Sequence, residues 1–526
     1  MSWPLAGLLV VLAATAAIRL SLLDVPLDRD EGEYAYIGSL LLDGVPPYAR
    51  AWNMKMPGIY AVYAVLLGVF GRSIAGVHLG LLVANAVSTV LVFFLGRRLD
   101  GPWMGLGAAT LFAVTTLDPM ILGLGAYAEH FLLPAVLLGC LLLLRAVEAG
   151  STTLLAVAGA CFGGAFVIKQ SGGIFGLLAV VLVLLAAVRE RAGVIPVARR
   201  IGALLAGAVV PFVIVCAWLA LAGTFRTFWF WTFTYASHYG VLQTFDGAAF
   251  NFVVAVDPIA GASWPVFVLA LVGITAGTWD ETVRRHRGFL WGLLVVAFAA
   301  TSVGFYYRAQ YFLLMAPAVS LLAAAGASAV ARLFGRRARL GTVVAGAIVV
   351  AAAVHPIVAR RATLFEATTH ELVRTVHDRN PLVETAEIAR YIRDRSAKDD
   401  PIAVIGSEPQ IYFYAERPAA TGYIYMYPLM ESQPFAPAMQ RDLIRELTAA
   451  RPRYLVFVNV HASWLSTAAS DRTLVTWFNG YWRDYERVGI ADIVSRDVTR
   501  YRWDEAARDY TPESPLWVAV FRRRGP

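Results

Sequence analysis

Eleven apolar stretches dominate this chain, at roughly 3–23, 74–96, 103–118, 130–147, 152–168, 171–188, 201–222, 263–279, 288–305, 311–331 and 340–358. A helix needs about 20 mostly apolar residues to cross the hydrocarbon core of a bilayer. Inside that core every backbone polar group must be satisfied within the chain, so runs of this kind form helices. The alternating strands of a porin-type barrel do not produce unbroken runs. Composition agrees: of 526 residues, 58% are hydrophobic and only 16% charged, where a soluble domain carries about 25% charged. An ordinary soluble enzyme, a disordered chain and a collagen-like fibre are excluded. The first stretch has no basic leader and no small-residue cleavage site, so it reads as an anchor.

The basic residues set an orientation. Arg97–Arg98, Arg145, Arg189/Arg191/Arg199/Arg200, Arg284/Arg285/Arg287 and Arg332/Arg336/Arg337/Arg339 fall in every second loop, fourteen basic residues against five acidic. The opposite loops hold ten acidic and seven basic residues. An excess of arginine marks the cytoplasmic side. The N-terminus is therefore expected in the cytoplasm, and the chain beyond residue 359 outside. The segment 57–71 is apolar but too short to cross, and as a span it would invert the charge pattern; it reads as a helix at the membrane surface.

The net charge of +8 resides at the ends of apolar segments, which points to membrane topology and not to nucleic acid. Cys140, Cys161 and Cys216 each sit inside an apolar run, so neither a disulfide framework nor a zinc site is implied. Two domains follow: a membrane domain over 1–358, whose first outer loop spans 24–73 and carries surface helices, and an extracytoplasmic domain over 359–526. The latter holds 23 basic and 22 acidic residues. Helical spacing at 384–397 and 437–450 alternates with β-rich runs at 401–406, 453–459 and 516–522. A small α/β domain is expected. It shows no phosphate loop and no nucleophile elbow, so no catalytic role is assigned to it.

Chemistry concentrates in the first loop. Asp28, Asp30, Glu31 and Glu33 crowd four carboxylates into six residues beside low-dielectric lipid. Such crowding raises at least one pKa and suits a base or a cation site. The same loop brings in Lys55, one of three lysines among 45 basic residues. Lysine is a compact point charge suited to a phosphate. A second lysine, Lys169, lies between two apolar runs, where it also reads as a snorkelling side chain. Glu129-His130 opens the fourth apolar run, and a carboxylate at a membrane edge is a functional candidate. Arg308 sits among Tyr306, Tyr307 and Tyr311, where it reads equally as an interface anchor. The aromatic stretch 225–240 belongs at an interface, or walls a sugar or prenyl chain with His238 and Tyr239 as polar contacts.

The order of short motifs resembles a known family. Asp30-Glu31 after the first span, Tyr34-Ala35-Tyr36, Asp43-Gly44-Val45-Pro46-Pro47-Tyr48 and Lys55-Met56-Pro57-Gly58-Ile59-Tyr60 are similar to the first outer loop of GT-C glycosyltransferases. The group in question is related to protein O-mannosyltransferases and to the aminoarabinose transferase of lipid A. Ala128-Glu129, Ile168-Lys169-Gln170, Tyr307-Arg308-Ala309-Gln310-Tyr311-Phe312 and Ile405-Gly406-Ser407-Glu408-Pro409-Gln410-Ile411-Tyr412 continue the resemblance. It departs at Lys55-Met56-Pro57, where the family often has two prolines, and in the number of spans, which is often higher than eleven.

The resemblance implies a polytopic α-helical GT-C-like membrane protein of the bacterial cytoplasmic membrane with a C-terminal extracytoplasmic α/β domain. It implies inverting transfer of a sugar from a polyprenyl-phosphate donor to a glycan, glycolipid or protein acceptor at the outer face. Asp30 would be the base and Glu31 would orient or tune it. Lys55, Lys169 and Arg308 would meet the leaving phosphate, while Glu129, Tyr34, His238 and Tyr311 would contact substrate. No cofactor is required by this reading; a divalent cation held by Glu129 with Asp30 stays open, as does the metal site itself. The other class to weigh is a transporter or flippase of a lipid-linked sugar. Transporters place polar sites near the midplane, often in repeated halves; here the charges gather at helix ends and no repeat is visible.

Overall fold

The computed structural model describes residues 3–240 and 243–525. Helices occupy every one of the eleven apolar stretches. Eight helices among the described residues are long and apolar enough to cross a membrane, and they bear out a polytopic helical protein. The count differs from eleven for identifiable reasons. Ile74–Thr115 carries two of the stretches on one element, broken at Asp100 and Gly101, where Gly101 takes φ 86°. Thr152–Ile168 has only 17 residues. Glu281–Thr301 begins with Arg284, Arg285 and Arg287, which dilute its apolar character.

Small residues let the helices approach. A Cβ on Gly159 or Gly163 would lie 2.0 or 2.1 Å from the carbonyl oxygens of Leu204 or Ala208. Hence Thr152–Ile168 and Val194–Leu221 pack backbone to backbone, the mode that prevails where lipid removes any hydrophobic drive between helices.

The first loop is helical in two places. Arg29–Leu42 starts at the N-cap Asp28, whose side chain accepts from Glu31 N while Glu31 accepts from Asp28 N. That reciprocal pair is a capping box. Pro57–Phe70 is the expected second helix, with proline at its first turn.

The C-terminal domain is built on a five-stranded sheet of order β1-β2-β5-β3-β4. Strands β1 (Ile402–Ile405), β2 (Tyr454–Asn459) and β5 (Trp517–Arg523) fall on the β-rich runs. β3 (Tyr485–Ile493) and β4 (Thr499–Trp503) were not foreseen. β1 runs parallel to β2, and the remaining pairs are antiparallel. Helices Leu382–Arg393 and Ala436–Ala450 match the expected helical spacing.

One apolar core joins the first loop to this sheet. Tyr34, Tyr36 and Ile59 belong to the same buried cluster as Ile388, Ile411, Val456 and Val518. The domain therefore rests on the loop that carries the acidic motif.

Candidate active site

Asp30 occupies the first turn of Arg29–Leu42, where the positive end of the helix dipole favours a carboxylate. Lys55 Nζ lies 3.0 Å from its Oδ1, with both side chains about a quarter exposed, at 24% and 23%. Burial pushes the Asp30 carboxyl up, but Lys55 first, then Lys169 and Arg308, overrule it and hold it below the usual carboxylate range. Three cations scattered over the sequence thus act on one carboxylate. Burial pulls the Lys55 pKa down, but Asp30 and Glu33 more than offset it and hold the ammonium charged.

The loop that presents Lys55 is tied down on several sides. Glu33, fully buried, accepts from Tyr60 Oη at 2.6 Å and from Asn53 Nδ2 at 2.9 Å. Burial lifts the Glu33 carboxyl to about 7 against those hydrogen bonds and the pull of Lys55. Tyr48 Oη donates to the Lys55 carbonyl at 2.6 Å. Gln170 Nε2 donates to the Met54 carbonyl at 3.2 Å. Gly58 sits where a Cβ would lie 2.4 Å from the Val167 carbonyl oxygen. The Lys55 segment is thereby seated on the end of the helix that leads to Lys169.

Lys169 pairs with Glu129, a carboxylate only 1% exposed at the start of Ala128–Ala149. Its ammonium also lies 3.9 Å from the centre of the Tyr311 ring, a cation–π contact. Arg308 is solvent-exposed and approaches Tyr306. Tyr306 in turn stacks on Tyr239, with ring centres 4.4 Å apart. Tyr34 is buried under Lys55, whose Nζ is 5.7 Å from its ring centre.

Asp30, Lys55, Tyr34, Glu129, Lys169, Tyr311 and Arg308 therefore gather at one end of the helix bundle. Two expected residues sit differently. Glu31 turns away from Asp30: besides capping Asp28, it accepts from Ala126 N at 2.6 Å and faces His78 Nε2 at 3.3 Å. It ties the first loop to the second. His238 stands edge-on to Phe435, a packing contact to the C-terminal domain. Asp30 and Glu129 are each paired with a lysine, and among the described residues no group of three or more His, Cys, Asp or Glu side chains is placed to hold a metal ion.

The C-terminal domain also reaches the site. Tyr425 Oη lies 3.4 Å from Asp30 Oδ1. Glu408, within the quoted Ile405–Tyr412 motif, accepts from Arg29, the residue beside Asp30, at 2.8 Å. No local pattern in the sequence signals either contact.

The family model for dolichyl-phosphate-mannose-protein mannosyltransferases matches residues 54–220, a stretch that contains Lys55, Glu129 and Lys169. No curated protein matches in sequence. Among solved structures, ArnT from Cupriavidus metallidurans bound to undecaprenyl phosphate is similar over 98% of this chain and 99% of its own, with a TM-score of 0.58 and 17% identity. The Archaeoglobus fulgidus oligosaccharyltransferase is similar over 97% of this chain and 75% of its own, with a TM-score of 0.54 and 12% identity. The helix bundle with its docked C-terminal sheet domain thus shares the fold of these two proteins, the GT-C fold.

Proposed function

We propose that this chain transfers a sugar from a polyprenyl-phosphate donor to a hydroxyl or amine acceptor of the cell envelope, with inversion, at the outer face of the cytoplasmic membrane. The observation that carries this reading is one carboxylate, Asp30, under the joint influence of Lys55, Lys169 and Arg308. The likeness to ArnT bound to undecaprenyl phosphate supports a lipid phosphate as the carrier.

The acceptor atom attacks the anomeric carbon from the face opposite the phosphate, and its proton passes to Asp30. A positioned general base contributes about 10²–10⁴-fold. The bond between the anomeric carbon and the phosphate oxygen breaks, and its electron pair leaves with the lipid phosphate. Lys55 and Lys169, held by Asp30 and Glu129, together with Arg308 would meet that charge as it develops and stabilise the transition state. A low pKa makes a carboxylate a weak base. Once the cations engage the phosphate, their hold on Asp30 relaxes and its basicity rises. Glu129 keeps Lys169 in place, and Tyr311 and Tyr34 present apolar faces beside the two lysines.

The charge asymmetry of the loops supports an outer site. The test is reconstitution of the purified protein in liposomes with polyprenyl-phosphate sugars. Transfer to an envelope acceptor by the wild type, and none by Asp30→Asn, is expected. Transfer retained by Asp30→Asn removes Asp30 as the base; no transfer by the wild type from any such donor removes the reading.

A further inference from the structure

Residues 29, 32 and 36 share one face of the helix Arg29–Leu42, because side chains three, four and seven apart align. All three are engaged by the C-terminal domain. Arg29 Nη2 and Nε donate to Glu408 Oε1 at 2.8 and 3.2 Å, and Arg29 Nη2 also donates to Asn380 Oδ1 at 3.2 Å. Gly32 lies so close to Gln410 that a Cβ would be 2.6 Å from its backbone nitrogen. Tyr36 Oη accepts from Ala419 N at 2.8 Å. Just before the helix, Leu27 N donates to Tyr414 Oη at 2.8 Å. Glu408 itself is fully buried and held from behind, since Ser463 Oγ donates to its Oε2 at 2.6 Å.

Asp30 is the next residue round the helix and faces the opposite way, toward Lys55. Its Oδ1 takes both Lys55 and Tyr425, and among the described residues no hydrogen bond reaches Oδ2. Oδ2 is therefore the oxygen left to take a proton. Where it points depends on how the first turn is rotated, and the C-terminal domain helps fix that rotation, together with the Asp28–Glu31 capping box and the Glu31 contact to Ala126. A buried ion pair is weak evidence for stability, since a well-packed apolar pair often does as well. What Arg29–Glu408 provides is register.

We propose that Glu408 is a positioning residue for Asp30: it clamps Arg29, fixes the first turn of the helix and so aims the free oxygen of the carboxylate, while Tyr425 from the same domain closes over the other oxygen. This rests on the reading of Asp30 as the base. The C-terminal domain is then part of the catalytic apparatus.

Two measurements on the full chain in detergent or liposomes test this. Hydrogen exchange of peptides covering 27–36 reports on the first turn without any assay of transfer. In Glu408→Gln these peptides exchange faster, and peptides from Ala128–Ala149 do not. The second is a kinetic split. A displacement of about 1 Å costs up to about 10²-fold, so kcat falls about 10–100-fold while KM for the sugar donor stays within about 2-fold. If Glu408→Gln does not fold, Ser463→Ala, which leaves the ion pair and removes its backing, shifts both readouts the same way by less. Unchanged exchange over 27–36, or wild-type kcat, in whichever variant folds overturns the proposal. A wild type with no transferase activity overturns the function instead, and the exchange result still decides whether Glu408 sets the turn.

Discussion

Lys55 Nζ rests 3.0 Å from Asp30 Oδ1, two loop residues brought together by a helix on one side and a cross-braced turn on the other. The pair joins the group that would take a proton to a group that would receive a phosphate. Either residue can therefore be probed through the other.

Lys55→Ala leaves burial to act on Asp30 with Lys169 and Arg308 alone in opposition. In the wild type Asp30 is held below the usual carboxylate range, so it stays ionised, and competent as a base, down to acid pH. Its acid limb in kcat/KM should lie below the ordinary aspartate range. In Lys55→Ala the limb moves to higher pH. A limb at the same pH in both proteins contradicts the assignment.

Removing one preorganised cation costs about 3 kcal/mol, roughly 10²-fold in rate. Lys55→Ala and Arg308→Ala are expected to lose that much with a polyprenyl-phosphate donor. Lys169→Ala should also lower the melting temperature, because it strands Glu129 as a buried, unpaired carboxylate. Steady-state kinetics and thermal melts separate the two kinds of loss.

The Glu33 carboxyl, lifted to about 7 by burial, should be protonated at pH 6. Infrared difference spectra should show a neutral carboxyl band at pH 6 that weakens as pH rises through about 7 and shrinks in Glu33→Gln. The remainder belongs to Asp28, which burial and its carboxylate neighbours lift to about 8. The sign for stability follows: a carboxyl whose folded pKa is raised contributes fully below its unfolded value and loses that contribution as pH rises through about 7. Melting temperature should accordingly fall between pH 5 and pH 8.

Gly32→Ala places a methyl group against the Gln410 backbone, with no flexible side chain to yield. Overpacking of this kind costs about 1–3 kcal/mol. A lower melting temperature and weakened transfer together are expected. An unaltered melt would show that the C-terminal domain docks less tightly than the contact implies.

Orientation is open to direct measurement. Protease added to intact cells should cut within the domain beyond Ala359. Complete protection would reverse the reading drawn from the arginine-rich loops.

The helices were legible because an apolar run of spanning length has few other fates. The start of Arg29–Leu42 was not read from the sequence, where its carboxylates stood as a charged loop, although Asp28 with Glu31 three residues later spells a capping box. β4 was not legible either, because Thr499-Arg500-Tyr501-Arg502-Trp503 is a largely polar edge strand, and in β3 charged residues interrupt the apolar pattern. Asp30, Lys55, Lys169 and Arg308 were singled out by type and by motif order. Their convergence is a tertiary fact that no local period carries. Tyr425 and Glu408 lie hundreds of residues from Asp30, and although Glu408 falls in the quoted Ile405–Tyr412 motif, nothing local in the sequence ties that motif to the site.

Gly58 against Val167 and the Gln170 amide on Met54 have a consequence for any anion that enters. Close main-chain packing at Gly58 and the Gln170 side-chain amide together set how far apart the two lysine-bearing segments stand. A phosphate held by both lysines would meet a preset spacing, so headgroups should be sorted by size before any bond is made.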